Sequence, residues 1–281
     1  MKTDLTPEQI QRYRTDGYLS YPGFLSREEI AGLKEGVLSA VELMGKRKVA
    51  GGGASLEEGD SYYDKVFTQR LNLWRINEKV KSYMLNPGLG RMLCALANVQ
   101  GMRVWHDQTL IKEPYGNPTA WHLDNPYWSF YSPDSISIWI ALEDATLQNG
   151  CMYFVPGTHK LATFENVGIG SNLGDLFKKY PEMAKIDPVA APMKAGDCSF
   201  HNGLTAHGAG ANMTRGRRIA MTCAYMPEGS SFNGQQNILS DAYFRSLTKG
   251  DVLQNDDWNP IVYSKNSPVG ATSSPAASAA R

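Results

Sequence analysis

The 281-residue chain is poor in the features that mark several protein classes. It has no run approaching the roughly 20 apolar residues that span a bilayer. Its start, Met1-Lys2-Thr3-Asp4, passes into polar, helix-starting residues without an apolar signal stretch. A soluble, cytoplasmic protein without a membrane partner is the expectation. Excess charge is lacking too: 28 Lys and Arg balance 28 Asp and Glu, so no global field draws the chain to nucleic acid. Cysteine is scarce, and Cys94, Cys151, Cys198 and Cys223 form neither a C-x-x-C pair nor a dense disulfide spacing. They are expected to be small buried hydrophobes. What the chain does have is 42% hydrophobic and 10% aromatic residues, enough apolar surface for a real core. Its length suits one catalytic-sized domain with helical additions.

Two helix starts are written near the N-terminus. Thr6-Pro7-Glu8-Gln9 and Ser26-Arg27-Glu28-Glu29 both read as capping boxes, in which a hydroxyl caps the helix and the residue three positions on reaches back. After the second box, Ile30, Leu33, Val37, Val41 and Met44 share one face of a helix ending at Gly45. The Gly-rich stretch from Ala50 to Asp60 reads as a mobile loop, with Gly51-Gly52-Gly53 as the hinge of a lid that Tyr62 and Tyr63 would close. Helical periodicity returns around Lys79 to Leu85 and from Pro87 to Ala97.

From Arg103 the texture changes to short β-branched and aromatic runs separated by turn formers, the pattern of a sandwich or barrel. The clearest strand is Asp134 to Leu142, with Ile136, Ile138, Ile140 and Leu142 on one face and Ser135, Ser137, Trp139 and Ala141 on the other. A helical segment near Asn172 to Tyr180 interrupts the strands. The organisation expected is one domain over residues 1–263, helical up to about 100 and a β core over about 101–230. A disordered Ser/Ala/Pro tail is expected over 264–281.

His122-Leu123-Asp124 puts an imidazole and a carboxylate at i and i+2, which on a strand point to the same side and can share a metal ion. A third donor is His207, in the strand-like segment His201 to Gly210. Two His and one carboxylate form the facial set of non-haem Fe(II) oxygenases, which leaves positions open on the metal. Arg218 follows eleven residues after His207, a distance that suits a neighbouring antiparallel strand, and alternation places it with Ala220, Thr222 and Ala224. A guanidinium on such a small-residue face has room for a carboxylate in bidentate fashion, and its burial without one is costly.

With these residues in view the sequence resembles the phytanoyl-CoA dioxygenase family of Fe(II)- and 2-oxoglutarate-dependent oxygenases, over roughly Leu5 to Pro227. The resemblance rests on Asp16-Gly17-Tyr18 with Pro22-Gly23-Phe24-Leu25, on Trp121-His122-Leu123-Asp124, on the run from Asn149 through Pro156-Gly157-Thr158-His159, and on His207 followed by Asn212 and Arg218. It implies a mainly β fold with flanking helices (α+β), a double-stranded β-helix or cupin-like jelly-roll. It implies His122, Asp124 and His207 as ligands of Fe(II), with 2-oxoglutarate and O2 as cosubstrates and Arg218 on the distal carboxylate of 2-oxoglutarate. Gln108, Thr119 and Trp139 stand where relatives line the cosubstrate pocket. Ala209 departs from the Ser that several relatives carry two residues after the distal His, so Thr119 or Gln108 is expected to lend the missing donor. Asp124 argues against halogenation, because related halogenases replace the carboxylate by a small residue.

The implied activity is oxidation of an unactivated C–H bond of a small molecule, typically hydroxylation, with release of succinate and CO2. Desaturation or ring formation would use the same centre. The rival is a non-catalytic jelly-roll that binds metal or ligand. His201 competes with His207 but lacks an Arg at the matching offset, and His106 and His159 read as locally bonded groups. For substrate contact the candidates are Tyr62, Tyr63, Asn125, Tyr127 and Trp128, with weaker signals from Phe130, Asn72 and Arg75.

Overall fold

In the computed structural model, residues 1–59 and 63–266 are described. Both capping boxes form. Thr6 caps α1 (Pro7–Asp16) with Gln9 reaching back, and Gly17 ends it at φ 79°. After β1 (Tyr18–Tyr21), Ser26 and Glu29 close the box of α2 (Arg27–Met44), whose Leu33, Val37, Ala40 and Met44 are buried. Next come β2 (Thr68–Leu71), α3 (Glu78–Met84), α4 (Pro87–Ala97), β3 (Gly101–Lys112) and β4 (Thr119–His122). The chain continues through β5 (Ile136–Ala141), β6 (Met152–Phe154), α5 (Asp175–Lys179), β7 (Val189–Ala191) and β8 (Cys198–Asn202). It ends with β9 (His207–Ala209), β10 (Arg218–Pro227), α6 (Asp241–Ser246) and β11 (Ile261–Ser264).

The strands form two antiparallel sheets. A seven-stranded sheet runs β1-β8-β5-β10-β3-β11 with β2 also on β3, and a four-stranded sheet runs β4-β9-β6-β7. The outer face of the larger sheet is the one the alternation marked: Ile136, Ile138, Ile140 and Leu142, with Ile219, Met221, Cys223 and Tyr225, pack against α2, α3 and α4 residues in the main core. Each buried Ile there contributes about 1.5–3 kcal/mol. Its inner face carries Trp139, Ala141 and Ala220, which meet Cys151, Met152, Phe154 and Ala209 of the smaller-sheet side. All four cysteines are free and buried.

Four expectations change. The helical and β parts are not sequential blocks, because β1, β2 and β11 join the large sheet from outside residues 101–230. The first residues assigned to the tail are held: Ser264 pairs with Gly101 and the Lys265 amide donates to the Gln100 carbonyl. The rest of the expected tail, residues 267–281, lies outside the described residues. The segment His201 to Gly210 is not one strand, since β8 and β9 lie in different sheets; β9 pairs with β4 and β6 rather than with the Arg218 strand. A jelly-roll needs such crossings to close its two faces around an interior.

The Gly-rich stretch is also fastened. The Ala50 amide donates to the Leu71 carbonyl at 3.0 Å, the Ala54 amide to the Ile238 carbonyl at 3.3 Å, and the backbones of Arg47 and Glu57 form an isolated antiparallel β-bridge. Gly51 and Gly52 hold φ of 67° and 79°, and a Cβ on Gly51 would meet the Arg75 side chain. These glycines serve turn geometry and close approach. The Tyr62 and Tyr63 side chains lie outside the described residues.

Candidate metal centre and cosubstrate pocket

His122 ends β4 and His207 starts β9, and the two are register partners with ring centroids 4.1 Å apart. Each ring is locked by a carbonyl two residues earlier: His122 Nδ1 lies 2.8 Å from the Ala120 oxygen and His207 Nδ1 2.9 Å from the Thr205 oxygen. A carbonyl only accepts, so the proton sits on Nδ1 and the Nε2 lone pair is left for a ligand. Burial pushes both imidazoles below their ordinary pKa, His207 well below, which keeps them neutral.

Asp124 arrives by a different route from the one its spacing suggested. The strand stops at His122, and Asp124 adopts helical φ/ψ at the head of the short 3-10 turn Asn125–Tyr127. Its amide and that of Asn125 donate to the Gly203 carbonyl at 3.0 and 2.8 Å. Gly203 must be glycine for this approach, as a Cβ would fall 2.4 Å from Ser135 Oγ and 3.1 Å from Asn125 Cβ. Asp124 Oδ1 then lies 3.6 Å from Nε2 of both His122 and His207. Its other oxygen, Oδ2, accepts from Ser137 Oγ at 2.9 Å and meets His201 Nε2 at 3.2 Å. Burial alone would raise this carboxyl, but His207, His201 and His122 together hold it well below the usual carboxylate range.

The donor atoms of His122, Asp124 and His207 lie within 4.8 Å of one another. Two neutral imidazole nitrogens and an ionised carboxylate oxygen, with their other polar atoms already bonded, are the chemistry that Fe(II) takes. The residues present therefore fit the metal.

The same cavity is lined by Arg218, Gln108, Thr119 and Trp139, by Thr222 from the Arg218 face, and by Phe67 and Met152, which were not expected. Arg218 is fully buried, its guanidinium carbon 5.2 Å from the Trp139 ring centroid and its Nη1 3.4 Å from the Leu110 carbonyl. Its register partner on β3 is Lys112, also fully buried. Lys112 Nζ donates to the carbonyls of Gly210 (2.6 Å) and Asn117 (2.9 Å) and lies 3.5 Å from Thr119 Oγ1. Burial, then the Arg218 charge, push its pKa down to about 6. Lys112 is not part of the cavity lining, since its amine is taken up by these carbonyls, and the lining carboxylate, Asp124, sits with the imidazoles. Thr119 pairs with Ala209 across β4 and β9, so a hydroxyl stands opposite Ala209. Gln108 accepts from Gln69, its neighbour on β2. Arg218, Gln108 and Thr119 give the cavity polar groups of the kind that suit a carboxylate cosubstrate.

The substrate candidates are less united. Asn125 is fully buried, and its Oδ1 accepts from the Ser132 amide at 3.1 Å. Tyr127 donates to the Val167 carbonyl at 2.6 Å, and burial pushes its phenol up to about 12. Trp128 stacks on Phe130 at 5.5 Å within a separate cluster. None of the three lines the cavity. Asn72 is buried in a left-handed conformation, and Arg75 lies 4.1 Å from the Trp258 ring centroid. The residues that sequence reasoning missed, Lys112, Ser137 and the Oδ2 contact of His201, had faint signals. A lysine at the end of the apolar run Leu110-Ile111 and a serine on the polar face of β5 were visible, but their partners lie in distant strands.

A family model described as phytanoyl-CoA dioxygenase (PhyH) matches residues 13–220. The chain belongs to this family. A "Dioxygenase lolE1" of Epichloe uncinata is 29% identical over 246 residues, covering 85% of this chain and 88% of that protein. Among solved structures, the non-heme alpha ketoglutarate dependent carbocyclase SnoK from nogalamycin biosynthesis is 27% identical with a TM-score of 0.74, covering 92% of this chain and 96% of its own. The epimerase SnoN, solved with Fe3+, alpha ketoglutarate and nogalamycin RO, is 25% identical with a TM-score of 0.68, covering 91% and 97%. The phytanoyl-CoA dioxygenase family member described here is an Fe/2-oxoglutarate-dependent dioxygenase with a jelly-roll core, and iron, 2-oxoglutarate and O2 are its cofactor and cosubstrates. The non-catalytic reading gives way to the enzymatic one. No helix among the described residues is long and apolar enough to cross a membrane.

Proposed function

We propose that this dioxygenase hydroxylates an unactivated C–H bond of a small-molecule metabolite, converting 2-oxoglutarate and O2 to succinate and CO2. The observation that carries the reading is the convergence of His122, Asp124 and His207 on one centre, with the buried Arg218 on the wall of the same cavity. His122, Asp124 and His207 would hold Fe(II), and Arg218 the distal carboxylate of 2-oxoglutarate. Iron with its cosubstrates supplies an oxidant strong enough to attack such a bond.

The chain's own contribution is placement. Carbonyls of Ala120 and Thr205 orient the two imidazoles so that the ligand geometry exists before the metal arrives. Arg218, with Thr119 beside it, fixes the cosubstrate's far end and hence which of its atoms faces the imidazoles. Trp139, Phe67 and Met152 give the pocket apolar walls that exclude water. Tyr127 and Trp128, on the segment leaving Asp124, and Tyr62 and Tyr63 remain the substrate-side candidates.

Anaerobic addition of Fe(II) and then 2-oxoglutarate to the purified protein should give a visible metal-to-ligand charge-transfer band. Succinate release across a metabolite panel should then pick out the substrate, and its product should gain one oxygen atom. A product that instead loses two hydrogens would support the second reading, ring formation or desaturation, which the likeness to the carbocyclase SnoK favours. Absence of both the band and succinate release would reject the proposal.

A further inference from the structure

Three histidines crowd this centre, with ring centroids of His207 and His122 4.1 Å apart and of His207 and His201 4.5 Å apart. Proximity does not separate ligand from non-ligand, but the second ring nitrogen does. In His122 and His207 it faces a carbonyl oxygen, so it carries the proton and leaves the Nε2 lone pair pointing at the centre. In His201 it is buried with no hydrogen-bond partner. His201 Nε2 instead faces Asp124 Oδ2 at 3.2 Å. A lone pair aimed at a carboxylate oxygen repels it, whereas a proton there makes a charge-assisted hydrogen bond. His201 is therefore the opposite tautomer, a donor whose Nε2 has no lone pair left for a metal.

Ser137 supplies a second donor to the same oxygen at 2.9 Å. Ser137 and His201 are register partners on β5 and β8, so one row of the large sheet presents both donors. Asp124 itself sits in a turn after β4 has ended, where no ladder fixes its side chain. The carboxylate is divided: Oδ1 faces the Nε2 atoms of His122 and His207, and Oδ2 is held by the opposite sheet.

We propose that His201 and Ser137 are positioning residues that hold Asp124 Oδ2 away from the metal, so that Asp124 ligates through Oδ1 alone. A carboxylate without such restraint can chelate with both oxygens and occupy a position the cosubstrates need. The proposal rests on the reading of His122, Asp124 and His207 as ligands and adds how one of them is kept monodentate.

The test is anaerobic titration of the metal-free protein with Co(II), which is insensitive to O2, following affinity and the visible Co(II) spectrum. Wild type is compared with Asp124→Ala, His207→Ala, His201→Ala, His201→Gln and Ser137→Ala, with thermal midpoints recorded separately. Loss of either donor should weaken Co(II) binding about 10- to 100-fold and alter the Co(II) bands, as a second carboxylate oxygen enters. His201→Gln, which keeps an N–H donor, should recover most of the affinity and the wild-type spectrum. A structural role alone would move the thermal midpoint and leave the spectrum as it was.

The proposal is overturned if His201→Ala binds Co(II) like wild type, or if the glutamine variant is no better than the alanine one. It is also overturned if His201→Ala loses binding as completely as His207→Ala, which would make His201 a ligand. Should His201→Ala not fold, Ser137→Ala decides: unchanged affinity and bands reject the clamp, and the predicted changes support it. Equal Co(II) binding by wild type and Asp124→Ala would reject the ligand assignment itself, a result distinct from failure of the His201 comparison.

Discussion

The two sheets hold functional side chains by different means. The large sheet has long strands, 12 residues in β3 and 10 in β10, and its inner face carries Gln108, Lys112, Ser137, Trp139, His201 and Arg218 at positions set by register. The small sheet is built of strands of three or four residues, too short for a ladder to fix much, yet it bears His122 and His207. There a local device takes over, the same in both strands: each imidazole bonds the carbonyl two residues before it. Long pairing gives a rigid floor, and short local bonds give aim. The floor then reaches across, through Ser137 and His201, to the one candidate ligand that lies on no strand.

The sharpest way to break this division is to remove the candidate ligand that the two sheets share. Asp124→Ala should lower substrate-dependent succinate formation about a thousandfold or more, equivalent to some 4 kcal/mol, while circular dichroism stays native. On the large-sheet side, Arg218→Leu should weaken 2-oxoglutarate binding by roughly 2–5 kcal/mol in calorimetry yet leave metal affinity within a few-fold. Equal losses of metal and cosubstrate in both variants would show that the sheets do not act separately.

Ile138→Ala, on the outer face of the same strand that carries Ser137 and Trp139, should cost about 2–5 kcal/mol of stability in denaturant unfolding. Metal affinity below the transition should be retained, because the inner face is untouched.

A pH experiment probes the floor next. His106 lies on the inner row with Ala224, Ser137 and His201, and burial pushes it down to about 4 from 6.5. The unfolded chain protonates this imidazole first as pH falls, so it binds more protons than the folded state below about pH 6.5. Stability is therefore full above that pH and is lost as pH falls toward 4. At roughly 1.4 kcal/mol per unit, the interval from 6.5 to about 4 is worth about 3–4 kcal/mol at most. His106→Phe should flatten this part of the stability profile of the metal-free protein; an unchanged slope would assign it to other groups, His122 and His207 among them.

The smallest effect is expected at Thr119→Val, which removes the hydroxyl opposite Ala209. A loss of about 1 kcal/mol, read as roughly fivefold weaker 2-oxoglutarate binding, would identify it as a donor to the cosubstrate.

Particular elements show why some of this was legible in the sequence. The Ile136-Ile138-Ile140 face and the Trp139 face follow from a period of two, and the boxes at Thr6 and Ser26 from contacts three residues apart. Asp124 was placed with His122 for the wrong reason: the spacing assumed a strand, whereas a turn delivers the carboxylate. The strand after His207 was expected beside it, but β10 lies in the other sheet. Lys112 beside Arg218 lay beyond a reading by pattern, since their pairing joins residues 106 positions apart. The Gly-rich stretch looked free because its anchors, Leu71 and Ile238, are far along the chain.

By itself the sequence determined what short-range chemistry can determine: helix starts, the two faces of β5, the types of donor available, and by family resemblance which of them belong together. Only the tertiary structure decided which oxygen of Asp124 faces the imidazoles, which histidine faces the other oxygen, and which residue stands beside Arg218. Those properties depend on atoms a few ångströms apart whose residues are separated by tens of positions. No local pattern of side chains encodes that distance.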